Sequence, residues 1–143
     1  MSFYFVLKAV HLLSAVIWVG GMFFAYLVLR PSLSVLEPAQ RIALHQQVFR
    51  RFFLFVWHAI PLLILSGLGI IVFVYGGMAG VRWNIHLMLL LGLIMTGVFM
   101  AIYFGPYRTF RAAPGPASLD SIRKLIGVNL VLGLITSVIA VIG

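Results

Sequence analysis

Four apolar runs, separated by short polar punctuation, set the pattern of this 143-residue chain. They cover about residues 3–29, 52–75, 83–104 and 122–142, each long enough for the ~20 residues a helix needs to cross a hydrocarbon layer. Between the first two lies PSLSVLEPAQRIALHQQVFRRF, where Leu44, Val48, Phe49, Phe52 and Phe53 recur at helical spacing while Arg41, Gln47, Arg50 and Arg51 take the other face. That alternation predicts an amphipathic helix started by Pro38 in its first turn. It either lies on the membrane surface or runs straight into the second span, since nothing breaks the pattern before Pro61. GGMAGVR predicts a tight connection between the second and third spans. GPYRTFRAAPGPASLD predicts a Pro/Gly-rich loop between the third and fourth, with Ser118 or Ser121 as the N-cap of the last helix.

Composition agrees with this pattern. Hydrophobic residues make up 64% of the chain, 8% are charged, and only two are acidic, whereas a soluble domain carries roughly a quarter charged residues. The fold class expected is an all-α integral membrane protein: one domain, residues 1–143, forming a four-transmembrane-helix bundle with an amphipathic cytoplasmic segment before the second helix. The first apolar run has no basic region before it and no small-x-small cleavage site after it, so it is expected to be retained as a span. Cysteine is absent, which excludes disulfides, iron–sulfur clusters and thiolate metal sites. A metal would have to sit on His, Met or oxygen.

The basic residues orient the bundle. Arg30, Arg41, Arg50, Arg51, Arg108, Arg111, Arg123 and Lys124 flank the first and third connections, leaving only Lys8 and Arg82 on the other side. Lys and Arg in short loops stay cytoplasmic, so both termini are expected outside. The net charge of +8 is then a topology signal and an attraction to anionic lipid, not a sign of nucleic-acid binding.

The four histidines are not equivalent. His45, on the amphipathic segment, is expected to be a solvated interfacial residue. His58, one turn before Pro61, stands evenly between a carbonyl-bonded imidazole and a ligand. His11 lies roughly 12 Å and His86 roughly 5 Å below the outer ends of their helices; with helix boundaries read from sequence good to a few residues each way, the two can share one depth. An ionisable group inside a span faces the interior with a partner by default. For two neutral imidazoles across a bundle, the best partner is a metal ion, and porphyrin iron with two axial histidines is the common membrane case. Lys8 is three residues outward of His11, and Arg82 four residues outward of His86. Each cation therefore shares its histidine's helical face and is placed to meet a haem propionate. The same two residues also fit ordinary snorkelling anchors beside the belt residues Tyr4 and Trp83. Small residues (Ser14, Ala15, Gly21, Gly67, Gly69, Gly92, Gly97, Gly127, Gly133) allow close helix approach or a flat macrocycle.

The segments KAVHLLSAVIWVGGMFF followed by LRP, then FRRF and IPLLILSGLG, then RWNIHLM, resemble a four-helix superfamily. It includes the copper resistance protein D family and the small membrane-type protoporphyrinogen oxidases. The resemblance runs from Lys8 to about Leu90 and implies a bacterial inner-membrane location. It also implies haem b at the first-helix histidine and at the histidine opening the third helix, which correspond to His11 and His86. The first-helix tryptophan matches Trp18, the basic pair matches Arg50 and Arg51, and the helix proline matches Pro61. Two departures stand against the oxidase activity. Met88 replaces a lysine two residues after the third-helix histidine, and Asn129 is followed by Leu130 instead of glutamate.

The expectation from sequence is a haem b-binding membrane protein, a b-type cytochrome in electron transfer or redox sensing. Its ligands would be His11 and His86, with Lys8, Arg82 and Trp18 lining the cofactor. His58, and after it His45, could hold a second haem near the cytoplasmic face, with a second subunit of a homodimer able to supply the other ligand. The expected redox partners are a membrane quinol and an outer-side acceptor. Copper transport or resistance, with His11, His86 and nearby methionines as ligands, is the alternative. A protoporphyrinogen oxidase-like enzyme is the second alternative.

Overall fold

A computed structural model describes residues 2–142 as helices joined by short turns. Helix α1 (Phe3–Phe23) is prolonged by a π-helical segment, Phe24–Leu29, and by short helical turns ending at Val35. Helix α2 spans Pro38–Phe73, α3 Trp83–Phe104, α4 Pro106–Ala112 and α5 Pro116–Ile142. Four of these stretches are long and apolar enough to cross a membrane.

The amphipathic segment and the second span form one continuous helix of 36 residues. At ~1.5 Å per residue it is ~54 Å long, well beyond a ~30 Å hydrocarbon layer. Its first third therefore projects past the span. Glu37 caps it: the carboxylate accepts the backbone N–H of Gln40, and the Gln40 side chain returns a bond to the Glu37 N–H. This capping box, with Pro38 at the first helical position, is why the helix starts where it does. Pro61 lies inside without ending it.

Two parts of the third connection differ from expectation. Half of the Pro/Gly-rich loop folds as α4, whose apolar residues Tyr107 and Phe110 turn into the core. Helix α5 starts at Pro116, so Ser118 and Ser121 lie inside it and bond back to the carbonyls of Gly115 and Ala117. Neither serine is the cap.

Around the bundle, α1 packs along α2 and also against α5, and α5 packs along α3. The α2 and α3 backbones scarcely meet. They are bridged by aromatic side chains at one end: Phe53 to Phe99 and Tyr103, and Trp57 to Phe99, Tyr103 and Phe104, with Phe53 also meeting Tyr107 of α4. This is the end where the first and third connections place Arg30, Arg50, Arg111 and Arg123. The opposite half is held by smaller and more polar residues. Ser14, Ser66 and Asn84 are buried there, and Gly67 and Gly69 admit His11 and Leu7 of α1 against α2. At Gly92 and Gly97 a Cβ would meet nothing within 4 Å, so those two glycines do not mediate close helix packing.

Candidate metal and cofactor site

His11 reaches the α1/α2 interface and is half-buried. Its Nδ1 lies 3.0 Å from the Leu63 carbonyl oxygen and 3.2 Å from Ser66 Oγ. The Ser66 hydroxyl donates to the same carbonyl at 3.1 Å. A carbonyl can only accept, so Nδ1 carries the hydrogen and shares it between Leu63 O and Ser66 Oγ. In the neutral ring this leaves the Nε2 lone pair free. A carbonyl or carboxylate on one ring nitrogen, orienting the other, is how metal-ligating histidines are held. The sequence reading singled out His11 but not Ser66, which holds it; a Ser one turn from a glycine on an apolar helix has no signal of its own.

The other histidines differ in kind. His58 Nδ1 bonds to Leu54 O at 2.8 Å on its own helix, and the side chain is exposed on the outside of the bundle. His86 is also exposed, at the first turn of α3, which packs on α5 and not along α1. His45, expected to be solvated, is 4% exposed: Nδ1 bonds to Arg41 O at 2.9 Å, and its ring lies 5.3 Å from that of Phe49. The amphipathic helix turns this residue inward, where Phe49 and the chain near Tyr26 cover it. Solvation is thus corrected to burial.

Lys8 and Arg82 are both exposed at the end of the bundle opposite the main basic cluster. Lys8 Nζ stands 5.7 Å from the Tyr4 ring. Trp18 is 1% exposed and belongs to the core, one helical turn from Ser14. Asn84, which the sequence reading passed over, is buried two residues before His86, and its Oδ1 has no hydrogen-bond partner. An orphaned buried acceptor is costly, which marks this end of the bundle as a place where a donor from elsewhere would be stabilised. Asn129, in the middle of α5, ties α5 to α3 through Nδ2 to Met95 O at 3.0 Å, and its Oδ1 is likewise unpartnered.

Among the described residues no group of three or more His, Cys, Asp or Glu side chains comes together. The donors present are single imidazoles. They fit a group that brings most of its own ligands, such as a porphyrin needing one or two axial nitrogens, better than an ion that needs three or four side chains from the protein.

Four helices long and apolar enough to cross a membrane define a polytopic integral membrane protein, with one imidazole fixed across a helix interface and two more on its surface. The family model described as Copper resistance protein D matches residues 46–142, more than half of the chain. The protein belongs to the Copper resistance protein D family. The matched stretch contains His58, His86, Arg82 and the Arg50–Arg51 pair, while Lys8, His11 and Trp18 lie before it. No curated protein and no solved structure matches the chain.

Proposed function

We propose that this member of the family binds b-type haem, with His11 and His86 as axial ligands, and works as a b-type cytochrome. The observation that carries the proposal is the His11 imidazole. Its Nδ1–H is fixed by Leu63 O of a neighbouring helix, and its Nε2 is left to ligate. A bound haem would supply one-electron redox chemistry at this place. The chain's own residues do the rest: Leu63 O and Ser66 orient and enrich the imidazole, and Lys8 and Arg82 offer uncompensated charge to the propionates. Asn84 offers an acceptor two residues from His86, and Trp18 closes the core two turns inward of His11. Lys8 and Arg82 have no acidic partner, since the one ion pair among the described residues is Lys124 with Asp120.

The electrons would pass between a membrane quinol and an outer-side acceptor, in an inner membrane with both termini outside. His58, exposed on the bundle's outer surface, supports a second haem shared across a homodimer. Met88 and Leu130 argue against protoporphyrinogen oxidation. Copper transport or resistance is the second reading, favoured by family membership itself. In it the His11 and His86 nitrogens act with methionines such as Met88 on Cu(I).

The deciding experiment is an absorption spectrum of the detergent-purified protein, oxidised and dithionite-reduced, with a pyridine haemochrome assay and metal analysis of the same sample. Sharp reduced α and β bands with one or two haems per chain establish the cytochrome. Bound copper with no Soret band, after expression with adequate haem, moves the function to copper handling.

A further inference from the structure

Between α2 and the α3–α4 corner, at the basic end of the bundle, lies a groove of about 660 Å³. Its wall is aromatic, with Phe53, Trp57 and Tyr103, and its rim carries Arg50 and Arg111. Both guanidiniums are held in place. Arg50 Nη2 bonds to Gln47 Oε1 at 2.9 Å, and Arg111 lies 5.0 Å from the Tyr103 ring and 4.9 Å from that of Tyr107. No acidic side chain is left to neutralise them. The chain has only two acidic side chains; Glu37 is used in the α2 cap and Asp120 is paired with Lys124 at 3.1 Å. The counter-charge has to come from outside the protein.

The groove's position decides which anion. Trp57 and Leu54 belong to the apolar span of α2, whereas Gln46, Gln47 and Arg50 belong to its projecting part. The groove therefore crosses the boundary between hydrocarbon and headgroups. Because the α2 and α3 backbones scarcely meet, it opens sideways toward lipid. A ligand fitting all of this has a negative head at the level of the arginines and an apolar tail at the level of the aromatic wall. We propose that the groove is a binding site for an anionic phospholipid, its phosphodiester held by Arg50 and Arg111 and an acyl chain laid against Trp57 and Tyr103. Basic pockets between transmembrane helices capture anionic headgroups by this charge pairing, and the planar guanidinium matches phosphate with two parallel bonds. The site is at the other end of the bundle from His11 and does not depend on whether His11 holds a metal.

Native mass spectrometry of the full chain, released from mixed micelles containing equal phosphatidylglycerol and phosphatidylcholine, tests this. The wild type is expected to retain one phosphatidylglycerol in preference to phosphatidylcholine. Arg50→Gln/Arg111→Gln should lower that preference by about fivefold per arginine. Arg50→Lys/Arg111→Lys, which keeps the charge but loses the fork, should lose less. Arg51→Gln/Arg108→Gln removes equal charge from exposed positions outside the groove and should leave the preference intact. Equal retention of the two lipids by the wild type overturns the proposal, as does an equal loss in the Arg51/Arg108 variant, which would assign the effect to diffuse surface charge. A bound tetrapyrrole, not a lipid, that disappears from the Arg50/Arg111 variant also overturns it.

Discussion

The imidazole of His11 occupies the space that a side chain at position 67 would need: a Cβ on Gly67 would stand 3.0 Å from His11 Cε1 and 3.3 Å from Nδ1. Glycine in the middle of a helix costs about 1 kcal/mol against alanine, so at this position it is retained against local propensity by a tertiary contact. Gly67→Val should push the ring off Leu63 O and loosen the ligand. The expected result is a broadened or shifted haem spectrum, or lost metal, in a protein that still runs as a folded monodisperse species on size exclusion. Gly92→Ala, where a Cβ meets nothing, is expected to leave the spectrum unchanged. An unaltered spectrum in Gly67→Val would mean that His11 orientation does not matter to any bound metal.

Histidine substitutions separate ligation from packing. His11→Ala and His86→Ala are each expected to abolish or shift the main haem spectrum. His45→Ala should leave it intact yet lower stability by about 2 kcal/mol, because it empties a site that is 4% exposed and removes the ring beside Phe49. Spectra recorded beside thermal melts in the same detergent check both halves. Intact spectra in both the His11 and His86 variants would remove the cytochrome assignment.

How much of this was legible in the chain depends on the kind of interaction. The four spans follow from the length of apolar runs, and the start of α2 follows from Pro38 and its neighbours, because caps are local chemistry. His11 stood out because an ionisable residue in an apolar helix is costly anywhere. Its holder, the Leu63 carbonyl with Ser66, is 52 to 55 residues away in sequence, and backbone carbonyls leave no trace in a residue pattern. The burial of His45 is not legible for a related reason: a polar ring on an amphipathic helix sits near the border between faces, and which side it takes depends on what packs there. Helix α4 was hidden by the Pro and Gly at its start, which read as loop punctuation although proline is at home in a first helical turn. The groove between α2 and α3 could not be seen at all, because it is defined by two helices that do not pack closely.

The aromatic bridge at the basic end carries the α2–α3 connection. Phe53 is 2% exposed and touches Phe99, Tyr103 and Tyr107 edge-on, while Phe55 is 62% exposed on the outer face. In a bilayer, burying a ring gains no hydrophobic transfer energy over lipid, so only packing separates the two positions. Phe53→Ala should therefore cost about 2 kcal/mol, less than the ~3–5 kcal/mol of a soluble core, and Phe55→Ala close to nothing. Reversible unfolding in mixed micelles measures the difference. Equal effects would mean that the aromatic cluster does not hold the bundle together.

Orientation in the membrane decides which compartment the His11 end serves, and the absence of cysteine makes it simple to read. Single cysteines at Ser34 and Met78, both exposed and at opposite ends of the bundle, can be labelled in intact cells with a membrane-impermeant maleimide. Eight of the ten basic residues lie around the first and third connections, and moving such charges outward is opposed during insertion. Met78→Cys is therefore expected to react from outside and Ser34→Cys only after the cells are opened. That result would place Lys8, His11, Arg82 and His86 near the outer face, where an outer-side acceptor can draw electrons from them. The reverse labelling would put the same residues at the cytoplasmic face, and the electron acceptor would then have to be a soluble protein or small molecule of the cytoplasm.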